Sequence, residues 1–214
     1  MTTVAEFVLA GDADTWRAVG FAVDLNGVIQ LGGIRLRFDG LGADVEHLGV
    51  SRAGIQSWVL ADAADPSAAF IDGLPTSHGE PSPDAVLAGH PNGALGIDHV
   101  VVYAPDLERT CDALAAVTGA PLKRIREVGP LRQGFHRLGE LIVEVVTFPD
   151  LPVGRATFWG LALNIRDIDG LFSTYGDSVL SAPKNAVQPG RRIASFREDV
   201  GLGLPVAVMT SVTR

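Results

Sequence analysis

With 214 residues, 47% of them apolar, the chain can bury the core of one domain or of two small ones. No run approaches the roughly 20 apolar residues of a membrane-spanning helix and no basic start leads into a long apolar stretch, so neither a membrane span nor a signal peptide is expected, and the default address is cytoplasmic. The net charge of −8 is uneven: residues 1–96 carry 4 Lys or Arg against 12 Asp or Glu, residues 97–214 carry 13 of each, and that balance disfavours nucleic acid as a partner.

From the N-terminus, residues 6–10 read as a strand and residues 12–20 as a short helix with an acidic first turn, as the helix dipole prefers. Residues 20–24, 28–31 and 34–38 read as three strands; Asn26-Gly27 is a two-residue hairpin signal and Gly32-Gly33 breaks the last two apart. Residues 55–61 add a strand carrying Trp58, and residues 66–72 allow a helix of about two turns. Residues 73–96 hold five glycines and four prolines and read as a connector or a reduced set of strands, closed by the turn His90-Pro91-Asn92-Gly93. His47, His78 and His90 fall in loops with no ligand spacing between them.

From residue 97 the order restarts. A strand at 97–103 runs into Pro105-Asp106, a helix start, and Leu107, Cys111, Leu114 and Ala115 recur at helical spacing up to Gly119. The single cysteine, Cys111, is thereby expected to be buried and without a catalytic role. Strands follow near 121–128, 132–138 and 140–148. A second copy has a strand at 158–165, a helix that Asp167 caps and that packs Ile168, Leu171, Phe172 and Tyr175, and strands near 178–182, 190–197 and 204–210. The first part also lines up: Leu31-Gly32-Gly33-Ile34-Arg35-Leu36-Arg37 matches Leu138-Gly139-Glu140-Leu141-Ile142-Val143-Glu144 at an offset of 107 residues, which sets Arg37 where Glu144 stands. The expectation is an α+β chain: an abbreviated βαβββ-like region at 1–75, a Pro/Gly-rich connector at 76–96, and paired βαβββ modules at 97–148 and 156–212 within a domain at 97–214.

Strict alternation over Gly96-Ile97-Asp98-His99-Val100-Val101-Val102-Tyr103 puts His99, Val101 and Tyr103 on one face and Asp98, Val100 and Val102 on the other. On the strand at 140–148, Ile142, Glu144 and Val146 share a face, while Leu141, Val143 and Val145 form the apolar face. The basic runs Lys123-Arg124-Ile125-Arg126 and Arg191-Arg192 read as solvated strand edges ahead of an anion site.

Paired modules opening on Gly96-Ile97-Asp98-His99-Val100-Val101-Val102, followed by Pro105-Asp106-Leu107, resemble the vicinal oxygen chelate superfamily, the glyoxalase and bleomycin-resistance proteins. More narrowly, His90-Pro91-Asn92-Gly93, Arg132-Gln133-Gly134-Phe135, Phe158-Trp159-Gly160-Leu161, Gln188-Pro189-Gly190-Arg191-Arg192 and Gly201-Leu202-Gly203-Leu204-Pro205-Val206 resemble bacterial glyoxalase-like proteins of unassigned reaction. The resemblance implies that two modules close into a cup, with a divalent metal held by the first and last strands of each, so that neighbouring substrate oxygens bind to it and developing negative charge is stabilised.

Carried over, the first module supplies His99 and Glu144 as metal ligands. The second offers Gly160, or Leu161 if the register is one residue off, and Pro205, with Val206 and Ala207 beside it, at the matching places; none of these side chains can ligate, so a bound ion would need His136, Asn164, Gln133 or waters to complete its sphere. Without metal, His99 and Glu144 are candidates for a catalytic base and its orienting group, or for an imidazole simply hydrogen-bonded in a polar pocket. Gln133, His136, Trp159, Arg191 and Arg192 are candidate ligand-binding residues. One of Phe158 and Trp159 is expected to line the cup, and at most one of Arg191 and Arg192 to point inward, where it would suit an anion. Two functions follow: a lyase, isomerase or dioxygenase acting beside a carbonyl or vicinal oxygens with an incomplete metal site, or a metal-free protein that sequesters a small molecule. The expected partner is a small-molecule ligand, and a homodimer is one assembly the resemblance allows.

Overall fold

The computed structural model describes residues 1–39, 53–82 and 89–211. Each of its three α-helices starts on an aspartate whose carboxylate accepts a backbone N–H of the first turn: Asp12 before α1 (Ala13–Ala18), Asp106 before α2 (Leu107–Thr118) and Asp167 before α3 (Ile168–Tyr175). α2 stops at Gly119, which takes the left-handed conformation.

β1 (Thr3–Ala10) is followed by α1 and by a hairpin of β2 (Val28–Leu31) and β3 (Ile34–Asp39), and β3 returns parallel to β1. β4 (Gly54–Ala61) pairs antiparallel with β1, and a hairpin of β5 (Phe70–Ile71) and β6 (Leu74–His78) brings β6 back parallel to β4. The N-terminal part is therefore two shortened copies of one plan, joined antiparallel at β1 and β4 in a six-stranded sheet.

The same plan recurs in full. β7 (Ala94–Tyr103), α2, β8 (Arg124–Val128), β9 (Leu131–Leu138) and β10 (Leu141–Thr147) form one module, with β10 parallel to β7. β11 (Thr157–Ile165), α3, β12 (Lys184–Asn185), β13 (Arg192–Ser195) and β14 (Val206–Thr210) form the next, with β14 parallel to β11. Antiparallel pairing of β7 with β11 fuses the modules into an eight-stranded sheet ordered β12-β13-β14-β11-β7-β10-β9-β8.

Three segments depart from the sequence expectation. Residues 21–24 are not a strand: Asp24 Oδ1 accepts the N–H groups of Asn26 and Val28, a local turn that competes with sheet pairing, while Phe21 is drawn onto Trp16 at 5.0 Å. Residues 66–72 are not helical, because Asp72 (φ 46°) and Gly73 (φ 100°) make the two-residue turn of the β5–β6 hairpin. The strand near 178–182 is reduced to a single bridge between Leu180 and Phe196.

One apolar core runs through both sheets. Phe158 of β11 meets Phe7 and Trp58 of the N-terminal sheet at 6.2 and 5.3 Å, and Trp16 Nε1 donates to Leu202 O at 3.2 Å. Two polar residues reinforce this junction. Asp72, its side chain 1% exposed, accepts from Arg109 (2.8 Å), Arg155 (3.2 Å) and Thr110 (2.5 Å). Buried His90 accepts the Ala22 N–H on Nδ1 and so donates from Nε2 to Gln30 O, at 3.0 and 2.8 Å. Among the described residues, no helix is long and apolar enough to cross a membrane.

Candidate functional site

Alternation along β7 breaks at Asp98. His99 pairs with Ala162 and Ile97 with Leu163, so Asp98 is an extra, unpaired residue on its strand. The bulge shifts the phase: Ile97 and Val100 both reach the core, and Asp98 turns onto the face of His99 and not onto the core face that strict alternation predicts. A second bulge at Trp159 does the same on β11. Phe158, half-buried, packs against the core, while Trp159, 42% exposed, stacks on Tyr103 at 5.1 Å and 21°. Tyr103 also meets Phe148 edge-on at 5.4 Å.

His99 consequently stands between two carboxylates. Its Nδ1 lies 2.9 Å from Asp98 Oδ2, and its Nε2 lies 3.5 Å from Glu144 Oε2. Asp98 is fixed in turn by Arg191, whose Nη1 is 2.9 Å from Asp98 Oδ1. Burial pushes the Asp98 carboxyl up, but hydrogen bonding to His99 and the charge of Arg191 outweigh it and hold the group below its ordinary 3.8. An ionised carboxylate only accepts, so Nδ1 is the donor of that bond and Nε2 is left facing Glu144.

Glu144 has the opposite balance. It sits in β10 with Leu141, Val143 and Val145 packed into the core behind it. Burial pushes its carboxyl above the ordinary 4.5, against the pull of His99, Arg126 and the Gln133 amide. Gln133 Nε2 donates to Glu144 Oε1 at 2.5 Å, and Gln133 Oε1 is buried without a partner. The site thus joins an orienting carboxylate, an imidazole and a carboxyl group biased toward its protonated form, with side chains of Asp98, His99 and Glu144 11%, 19% and 14% exposed.

The other sequence candidates separate. Arg191 points inward, but its guanidinium is already engaged by Asp98, Asn164 Oδ1, Gln188 Oε1 and Thr210 O. Arg192 faces α3, where it pairs with Asp169 and donates to Pro183 O. His136 lies on the face of the sheet opposite Glu144, buried, with Nδ1 at 2.9 Å from Ala120 O; it is not in the cup. Cys111 is buried and its thiol is pushed up to about 11, chiefly by that burial. His47 lies outside the described residues. Asp98 was legible only as a charge inside an apolar run, at a position where a core side chain belongs.

The divalent centre that the resemblance implies needs donors from both modules. On the second, Gly160 holds the place of His99, and Ala207, opposite Ala162 as Glu144 is opposite Val101, holds the place of Glu144, where the resemblance sets Pro205; neither side chain can donate to a metal, and a Cβ built on Gly160 would stand 2.5 Å from Pro205 O. Asn164 Oδ1 is taken by Arg191, and among the described residues no three His, Cys, Asp or Glu side chains are placed to share an ion. The residues present do not fit that centre.

The N-terminal sheet carries the same two positions with other charges. Glu6 pairs with Arg35 in the register in which His99 pairs with Ile142, so Glu6 and Arg37 stand where His99 and Glu144 do; they form an ion pair at 2.9 Å.

No family model matches the chain, and no curated protein matches it. Among solved structures, a mutant of 4-hydroxymandelate synthase from Streptomyces coelicolor is 16% identical with a TM-score of 0.64, the match covering 99% of this chain and 93% of that one. Methylmalonyl-CoA epimerase from Mycobacterium tuberculosis is 14% identical with a TM-score of 0.46, over 56% of this chain and 91% of that one. Both are vicinal oxygen chelate proteins. Matched almost end to end with the 4-hydroxymandelate synthase structure, and with both its halves built on one strand plan, this chain has the same α+β fold.

Proposed function

We propose that the chain is an enzyme of the isomerase type that moves a proton on a carbon beside a carbonyl group, using Asp98, His99 and Glu144 in place of a two-module metal centre. The observation that carries this reading is the placement of His99 between an ionised Asp98 at 2.9 Å and Glu144 at 3.5 Å. His99 Nε2 takes the proton from carbon, and the electron pair of the broken C–H bond moves onto the carbonyl oxygen as an enolate. Glu144 in its protonated form supplies the proton that returns to carbon and then recovers one from His99. Asp98 holds the imidazole in the tautomer that leaves Nε2 free, and Arg191 keeps Asp98 ionised.

The test is incorporation of solvent deuterium into 2-oxobutyrate, 2-oxoglutarate, dihydroxyacetone phosphate and hydroxyacetone, followed by proton NMR with a His99→Gln variant as background. Enzyme-dependent exchange in at least one compound, lost in His99→Gln and Glu144→Gln, is expected. Exchange equal in wild type and both variants would sink the reading.

A second reading, metal-free sequestration of a flat small molecule, is favoured by one feature: the half-exposed Trp159 stacked on Tyr103, on the face that carries His99. Quenching of Trp159 fluorescence by a ligand that is never turned over would mark this alternative.

A further inference from the structure

Sheet register places two arginines on the wall facing Glu144. Arg124 pairs with Phe135 and Phe135 with Glu144; Arg126 pairs with Gln133 and Gln133 with Val146. Residues directly opposite in antiparallel pairs share a face, so Arg124, Arg126, Gln133, Phe135 and Glu144 all project into the cup. Two strand spacings, about 10 Å, separate the β8 and β10 backbones, a gap that an arginine side chain and a molecule of a few heavy atoms fill together.

These two cations act on Glu144 through space but form no direct pair with it. Arg191, Arg192, Arg132 and Arg109 all pair with carboxylates. Among the described residues the guanidinium groups of Arg124 and Arg126 make no ion pair or hydrogen bond; Arg124 rests over the Phe135 ring at 4.6 Å, which holds its plane without using its N–H donors. Between them and Glu144 lies Gln133, whose buried Oε1 has no donor. Two cations with unused N–H donors beside one unfilled acceptor, all on the face of the acid–base group, offer donors for an anion and an acceptor for a hydroxyl.

We infer that Arg124 and Arg126 form an oxyanion subsite that seats the carboxylate or phosphate group of a small molecule, with Gln133 Oε1 accepting from its hydroxyl, so that the carbon beside its carbonyl lies at His99. This rests on the proton-transfer reading for the identity of the reacting carbon. It stands by itself as a binding site. Arg191, which holds Asp98, is not the anion anchor, because its donors are consumed by Asp98, Thr210 O, Gln188 Oε1 and Asn164 Oδ1.

Calorimetric titration of the full chain at low salt with succinate, glycerol 3-phosphate and the uncharged succinamide tests the inference. One of the two anions is expected to bind saturably and succinamide not to; whichever anion binds more tightly identifies a carboxylate or a phosphate ester as the source. Arg126→Gln should weaken binding about tenfold and the double Arg124→Gln, Arg126→Gln variant about a hundredfold. Arg126→Lys, which keeps the charge, should recover most of the affinity and so separates lost binding from lost folding. Equal anion affinity in wild type and the double variant, succinamide binding as tightly as succinate, or no binding of either anion would each overturn the inference. His99→Gln should leave anion binding intact. Anion binding without any deuterium exchange would retire the proton-transfer reading and leave the subsite standing, whereas exchange into 2-oxoglutarate and dihydroxyacetone phosphate that the double variant leaves unchanged would do the reverse.

Discussion

Asp98 is held by Arg191 at 2.9 Å and holds His99 Nδ1 at the same distance, so its replacement removes two constraints at once. Asp98→Asn leaves the guanidinium of Arg191, itself 5% exposed, without its carboxylate, and should cost about 3 kcal/mol in urea unfolding. It should also lower deuterium exchange, because an amide no longer dictates which imidazole nitrogen carries the proton. Glu144 acts on stability in the other direction. Its carboxyl is raised by burial, so below pH 4.5 both the folded and the unfolded chain hold the proton and nothing is lost. As pH climbs from 4.5 through the raised value, the unfolded chain ionises first and stability falls. Glu144→Gln should therefore melt higher than wild type at neutral pH, with the gap closing below pH 4.5 in a series of thermal melts; a gap independent of pH would contradict the assigned burial.

At the scale of elements, the two bulges decide what the sheet presents. Without the extra residue at Asp98, alternation would bury that carboxylate in the core; without the one at Trp159, the indole and Phe158 would exchange roles. This is also where the sequence was least readable. The module repeat, the helix starts at Asp106 and Asp167 and the faces that carry His99 and Glu144 follow from periodicity and residue chemistry, whereas the ligand places on the second module follow only from the resemblance, which sets Pro205 where the register puts Ala207. The partnership of Asp98 with Arg191 follows from neither, because it joins residues 93 positions apart and depends on a bulge that period-2 reading assumes away. The hairpin at Asp72-Gly73 was available as a turn dipeptide, yet the preceding run of small residues reads equally well as a helix. The closed second wall has its own test. Gly160→Ala would drive a Cβ to 2.5 Å from Pro205 O, a backbone atom that cannot swing aside, and should cost about 2 kcal/mol by chemical denaturation. If Gly160→Ala is neutral, the wall is looser than the register states.

At the scale of the molecule, one core joins a shortened pair of modules to a full pair, and Phe158 is the side chain that bridges them against Phe7 and Trp58. Phe158→Ala should cost about 3 kcal/mol, and wild type should unfold in one transition seen alike by tryptophan fluorescence and far-ultraviolet dichroism. The repeat also shows divergence of one position pair: Glu6 and Arg37 close on each other as an ion pair, whereas His99 and Glu144 stay 3.5 Å apart. Among the described residues at the equivalent places, only the module at β7 to β10 keeps an imidazole facing a carboxyl group, and the proposed proton transfer rests on that pair. The most direct test is the nitrogen-15 NMR signature of the His99 ring during titration with Zn²⁺. Nδ1 should carry the proton with Nε2 bare, and one equivalent of metal should leave both signals in place. A proton on Nε2, or a saturating shift of Nε2 at one equivalent of Zn²⁺, would contradict it.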